Sequence, residues 1–448
     1  MTHKIKMILL ALIFSTSVVE AQEKVLTLEE CRSMALENNY NLKTSKERLF
    51  QSEDMLSAYK TNRLPNFSLS ANYLYSTTDF TATITGGYLP IFTNGVMSTE
   101  SFAYMPDQEF EFKVASMYNA GLMLTQPIYM GGKISNAIKL AQVGIDVSEL
   151  QIRKSETDVL VLVDEAYTKV LELEELLASA KKYEAVVSEF HRQLESAYKH
   201  GMKTRNDLMK IGVRVNEAKL LTQKATNGLR LAQMNLCYVI GMPMTTKDLQ
   251  LDEPAPINYY ADENNLDVTS RPEYSMLLKQ VEAKELELKI TKSDFLPTVS
   301  AIANYGYTGG ASLNGSTLFG GANFSGGVMV SVPIFHWGEG KRKSSAKQRE
   351  INMAQYQLED LTQKMQLELL QTVNTYNESV LEVQLTEESV RQAEENMRLS
   401  KNQYDKGMET IADYLESQAL WQKAMSDLCT AKATQRVSYA KYKSMISE

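Results

Sequence analysis

The feature that most constrains this chain is a pair of very long helical periodicities that stop at the same short break. From Leu358 the apolar positions Leu361, Met365, Leu369, Val373, Tyr376, Val380 and Val383 recur every three or four residues, the stripe of an amphipathic helix or a coiled-coil seam. The run from Glu339 to Asp405, and its counterpart from Lys133 to Lys199, would each reach on the order of 100 Å at about 1.5 Å per residue. Each ends in Tyr-x-x-Gly-Met-x-Thr-x-x-Asp, at Tyr198 to Asp207 and again at Tyr404 to Asp413. Helical patterning then resumes, over Asp207 to Val239 and Asp413 to Met445. Gly201 and Gly407 suit a left-handed residue just past a helix end. Thr204 with Asp207, and Thr410 with Asp413, suit a capping-box start. Each break therefore predicts a helix reversal, and each half an antiparallel helical hairpin.

The halves share more than the breaks. Leu64-Pro65 and the Ala71-Asn72-Tyr73-x-Tyr75 string reappear as Leu296-Pro297 and Ala303-Asn304-Tyr305-x-Tyr307, and Pro127-Ile128-Tyr129 reappears as Pro333-Ile334-Phe335. Between these anchors the first half is the longer, as when a surface loop grows without disturbing its flanks. The chain reads as a duplication: a first repeat over 22–242 with a β-hairpin at 66–127 and a helical tip at 201–207, a linker or equatorial segment over 243–272, and a second repeat over 273–448 with a β-hairpin at 298–333 and a tip at 407–413.

Within each repeat the period also drops to two. Phe67, Leu69, Ala71, Tyr73 and Tyr75 alternate with Ser68, Ser70, Asn72, Leu74 and Ser76, and similar alternation runs through Tyr118 to Gln126, Val299 to Tyr307 and Phe324 to Val332. Four strands of about ten residues result, the length of a transmembrane β-strand; a half-buried soluble hairpin shows the same alternation. Pro65, Pro127, Pro297 and Pro333 mark the helix–strand switches. The tips Ser76 to Lys113 and Gly309 to Gly321 read as mobile loops.

A net charge of −8 argues against a nucleic-acid partner. With a mean hydropathy of −0.29, no segment beyond the N-terminus approaches the roughly 20 apolar residues of a spanning helix. Lys4 and Lys6, the apolar run Met7 to Val18 and the small-residue site Val19-Glu20-Ala21 predict a signal peptide over 1–21. Cys31, Cys237 and Cys429 are too sparse for a disulfide framework and suit helix packing. Catalysis has no visible residues: the histidines are scattered without metal-ligand spacing. In Gly338-Glu339-Gly340-Lys341-Arg342 the leading glycine of a phosphate loop is replaced by Phe335, and Arg342 stands where Ser or Thr should follow Lys341. No cofactor is implied. Asp413 and Glu416 share one helix face; around an assembly axis they would form stacked acidic rings, and on a lone helix simply a solvated face.

Taken together, LTLEECRSMALENNYNL near the start, LTQPIYMGGKI and VSVPIFHWGEGKRK after the second strand of each half, LCYVIGMP closing the first half and the paired breaks resemble the TolC-like outer-membrane efflux protein family. The resemblance implies a fold that is mainly α with transmembrane β: long α-helical hairpins in a periplasmic α-barrel, plus four strands per protomer of a shared trimeric β-barrel. It implies a passive exit duct in the outer membrane of a Gram-negative bacterium, conducting small molecules such as drugs. Its partners would be its own copies as a homotrimer, a periplasmic adaptor (membrane fusion) protein, an inner-membrane pump of the RND or ABC type, and outer-membrane lipid. A duct for type I protein secretion and a non-porous periplasmic scaffold are the competing readings. By position, the gate would be Asp413, Glu416, Tyr404 and Asp207, and the adaptor-docking tips Gly201, Met202, Lys203, Thr204, Gly407, Met408, Glu409 and Thr410. Glu409 departs from the family pattern, since a basic residue stands there in the best-known gate.

Overall fold

The computed structural model describes residues 25–244, 249–257, 259–262 and 266–446; the signal peptide expected over 1–21 lies outside them. Among these residues seven helices and six strands follow in the order α1 (Leu28–Asn38), α2 (Tyr40–Thr61), β1 (Asn66–Ile84), β2 (Gly87–Thr93), β3 (Val96–Met105), β4 (Gln108–Met130), α3 (Lys133–Lys199), α4 (Arg205–Val239), α5 (Pro272–Ser293), β5 (Thr298–Leu313), β6 (Ser316–Ser331), α6 (Glu339–Asp405) and α7 (Ile411–Met445). The two longest helices, α3 and α6, have the ends that the periodicity predicts. Among the described residues no helix is long and apolar enough to cross a membrane.

The chain divides into two compact units. One comprises residues up to 51, 146–279 and from 355 onward. Its helices bury three apolar clusters. In the first, Cys31 and Ala35 of α1 meet Val159, Val163, Tyr167 and Val170 of α3 and Leu236 of α4. The second gathers the far ends of both helical hairpins. In the third, Leu369, Val373, Tyr376 and Val380 of α6 meet Val268 and Ala261 of the inter-repeat segment. The described part of that segment is strapped down, because a backbone run without its own ladder must find partners elsewhere. The Tyr167 hydroxyl donates to the carbonyls of Leu26 (3.0 Å) and Asp252 (2.6 Å), the Tyr376 hydroxyl to the carbonyl of Tyr259 (2.7 Å), and the Ala261 amide to Asn377 Oδ1 (2.9 Å).

The other unit comprises residues 52–145 and 280–354. Its centre is an antiparallel sheet in the order β1-β4-β5-β6, with β2 and β3 as a separate two-stranded sheet. The register sets like faces side by side. Phe67 pairs with Leu124, Leu69 with Leu122, Tyr73 with Tyr118, Leu122 with Tyr305, and Tyr305 with Phe324. Stacking of Tyr118 on Tyr307, with centroids 6.0 Å apart, reinforces the row. One face is thus apolar across all four strands and open to the surroundings, with Leu69 80% and Phe324 73% exposed. A continuous exposed apolar face marks a lipid or protein contact surface.

Three expectations need correction. The strands run 16 to 23 residues rather than about ten. The tips expected as loops are mostly strand: Thr- and aromatic-rich stretches keep β pairing, and the reversals occupy only Asn94-Gly95 and Asn314-Gly315, all four residues at positive φ, as two-residue hairpin turns require. Pro127 lies inside β4 rather than at its end. β1 pairing stops at Thr125 and the β5 register shifts between Pro127 and Tyr129, so the missing N–H falls where little ladder remains.

Between α5 and α6, Lys284 and Lys347 share the carboxylates of Glu287 and Glu350 at 2.9 to 3.4 Å. Burial opposes ionisation of Glu287, yet the two ammoniums hold its carboxyl below the ordinary value, and hydrogen bonding from Lys347 does the same for Glu350. A depressed folded value contributes stability above the ordinary glutamate value of 4.5, and this is lost as pH falls through the folded value. The thermal midpoint is expected to drop on acidification through that range, with a smaller drop in Glu287→Gln; equal drops in both proteins would show that the network is not the source.

Candidate functional site

Each helical hairpin reverses through the same backbone device. Past α3, the Gly201 amide donates to the Tyr198 carbonyl at 2.9 Å and the Met202 amide to the Ala197 carbonyl at 2.9 Å; past α6, Gly407 donates to Tyr404 at 3.0 Å and Met408 to Gln403 at 2.9 Å. These are Schellman closures, with Gly201 at φ +75 and Gly407 at φ +73. The next helix starts at once. Thr204 and Thr410 are N-caps whose hydroxyls accept from the amides of Asp207 (3.2 Å) and Asp413 (3.3 Å), while those carboxylates accept from the cap amides at 3.2 Å. Asp207 and Asp413 therefore complete capping boxes. Glu416, one turn on from Asp413, is exposed, as is Asp413 itself.

The two breaks are joined through side chains. Tyr404 stacks on Tyr414 of α7 with centroids 5.7 Å apart, and Phe190 of α3 meets both edge-on, at 5.4 Å from Tyr404 and 5.0 Å from Tyr414. Lys203, from the first break, places Nζ 4.5 Å from the centre of the Tyr404 ring, a distance at which the ring quadrupole attracts the ammonium. A tip residue of one hairpin thus sits on a tyrosine of the other. Around this contact several buried polar atoms have no hydrogen-bond partner among the described residues: Ser400 Oγ, Tyr404 Oη and Glu409 Oε2. An unpaired buried polar group is costly, so this end of the hairpins is the part of the core with most to gain by repacking.

The structure thus brings Lys203 and Tyr404 together, gives Asp207 and Asp413 capping work, and leaves Gly201, Met202, Gly407, Met408 and Thr410 exposed at the reversals. Phe190 and Tyr414 carry no local sequence signal, since their burial depends on packing between distant segments. The cysteines are buried and unbridged; burial pushes the Cys31 thiol up to about 11 and the Cys429 thiol up to about 12, which suppresses thiolate chemistry.

Comparison with known proteins agrees with this architecture. The family model described as "Outer membrane efflux protein" matches residues 31–242 and 269–445. The chain is 23% identical over 331 residues to the alkaline protease secretion protein AprF of Pseudomonas aeruginosa, covering 72% of this chain and 68% of that one. In fold it is similar to the Campylobacter jejuni CmeC outer membrane channel, with a TM-score of 0.71 and 17% identity over 93% of this chain and 85% of that one. It is similar also to the Vibrio cholerae outer membrane protein VceC, with a TM-score of 0.71 and 15% identity over 94% and 95%.

Proposed function

Because the chain belongs to the outer membrane efflux protein family, we propose that its copies close into a ring that forms a passive exit duct, with the β-sheets crossing the outer membrane and the helical hairpins lining a periplasmic tunnel. The observation that carries this reading is the four-stranded sheet with one apolar face and unpaired outer edges on β1 and β6. A spanning sheet must close to leave no edge in lipid, and four strands are fewer than the smallest bacterial barrels use. Further copies supply the rest, and the family pattern makes the number three. The two-repeat plan gives each copy two hairpin tips. Gly201 to Thr204 and Gly407 to Thr410 meet a periplasmic adaptor, an RND or ABC pump in the inner membrane supplies energy, and small molecules pass outward. Asp413 and Glu416 form the constriction; Tyr404 and Asp207 hold it closed. Adaptor binding opens it by favouring the open packing over the closed one.

A second reading shares this architecture and changes the cargo. The similarity to a protein named for alkaline protease secretion favours a polypeptide, delivered by an ABC-type pump. A non-porous scaffold is the reading most exposed to test. Purified protein in a planar lipid bilayer is expected to give small, cation-selective current steps; folded, inserted protein that passes no current before or after mutation of the tips would establish the scaffold instead.

A further inference from the structure

The strand-to-helix passage after β6 holds a feature that the duct does not explain. Within a few residues the chain exposes Ile334 (91%), Phe335 (68%) and Trp337 (87%), with the Phe335 and Trp337 rings 4.9 Å apart. Trp337 has φ 52, a left-handed backbone that a bulky L residue adopts only against steric cost. Its ring partner, Phe335, is itself exposed, so the pair as a whole lies in the open.

The backbone around it is nonetheless pinned. The Phe295 ring meets His336 edge-on at 5.9 Å and lies so close to α6 that a Cβ on Gly340 would come within 2.9 Å of it. The Glu339 amide donates to the His336 carbonyl at 2.8 Å. The glycines that imitate a phosphate loop in sequence thus shape a rigid corner. That corner holds the aromatic pair outward, just ahead of Lys341, Arg342 and Lys343. Lys343 is neutralised by Glu339 at 2.6 Å, whereas Lys341 and Arg342 are exposed and have no carboxylate partner among the described residues. The corresponding passage of the first half also exposes Ile128 (61%) and Tyr129 (49%), but its cation, Lys133, is held by Asp294 at 2.7 Å. Only the second passage combines apolar anchors with free positive charge.

We propose that Ile334 to Arg342 is a lipid clamp: Ile334, Phe335 and Trp337 enter the acyl–headgroup boundary of the periplasmic leaflet, and Lys341 and Arg342 bind the phosphate of an anionic phospholipid. The leaflet assignment rests on the duct reading. Aromatic side chains partition to such boundaries, and each cation beside an anionic surface gives roughly a fivefold preference. The exposed aromatic pair, which suits an acyl–headgroup boundary, commits the site to an anionic lipid; a second copy of this acidic chain is the competing occupant that the experiment distinguishes.

The full chain carries two tryptophans, Trp337 and Trp421, and Trp421→Phe leaves one reporter. This variant is reconstituted into mixed phosphatidylglycerol and phosphatidylcholine vesicles in which one or the other lipid is brominated, and conductance is recorded from the same vesicles. Trp337 emission is expected to be quenched, and more strongly when phosphatidylglycerol is the brominated species. Lys341→Gln with Arg342→Gln should keep the quenching and cut the preference by about 25-fold, two factors of roughly five. If Trp421→Phe does not assemble, the lipid-quenchable emission of the native chain, absent in Trp337→Phe, reads the same quantity. Conducting vesicles without quenching would place Trp337 in water or under another copy and overturn the clamp. Equal quenching by both lipids in the native chain would overturn the phosphate site. Protein that neither inserts nor conducts would sink the duct reading and the clamp with it.

Discussion

Replacing Asp413 by Asn and Glu416 by Gln is expected to reduce the cation preference of the channel at least about fivefold, the factor that ~1 kcal/mol of lost attraction gives even with water-like screening. The choice of amides matters. The Asp413 carboxylate accepts from the Thr410 amide at 3.2 Å and from its hydroxyl at 2.6 Å, so alanine would remove a helix cap together with a charge. Asparagine keeps an acceptor at that place, and the thermal midpoint should stay near that of the native chain. Reversal potentials across a salt gradient report the selectivity directly. Unchanged selectivity in folded protein would leave both carboxylates as an exposed helix face and remove them from the gate.

The largest effect on stability is expected from Arg32→Leu. The Arg32 guanidinium grips Asp164 with Nε on Oδ1 at 2.8 Å and Nη2 on Oδ2 at 2.6 Å, and the Asp164 side chain is only 9% exposed. Removing the arginine strands a buried carboxylate, at a cost of about 3–5 kcal/mol. Arg32→Leu combined with Asp164→Leu should recover much of it, because the pair's own desolvation disappears. The pH dependence has a definite sign. Burial already raises the Asp164 carboxyl against the pull of Arg32, and loss of the fork raises it further. A folded value above the unfolded one means that stability falls as pH rises between the two, so the single variant should be hurt less in mild acid than in base. Denaturant titrations at two pH values test this; a loss independent of pH would assign the cost to packing alone.

Much of the helical part was legible from residues alone because its signals are local. Gly201 and Gly407 need positive φ, Thr204 and Thr410 need a partner three residues on, and the ends of α3 and α6 follow. The sheet was legible only in outline. Alternation identifies the strand cores, but the Thr- and Gly-rich tips have the composition of loops, and only the local turn signals Asn94-Gly95 and Asn314-Gly315 mark where both reversals fall. Pro127 is tolerated inside β4 because a proline is excluded only where a ladder needs its N–H, which depends on how far β1 extends. The Lys203–Tyr404 contact had no local signature at all. It arises because two helical hairpins bury Phe190 and Tyr414 against each other, and a lysine on one reversal is thereby carried over a ring belonging to the other.

The open edges of β1 and β6 have a genetic consequence. A copy whose β6 edge is blocked, for instance by a proline that removes a needed N–H, still offers a sound β1 edge to its neighbour. In the proposed ring it takes a place and prevents closure, and the intact copies beside it are lost with it. Defects at this edge should therefore be dominant over the normal allele, whereas a chain that fails to fold never joins a ring and stays recessive.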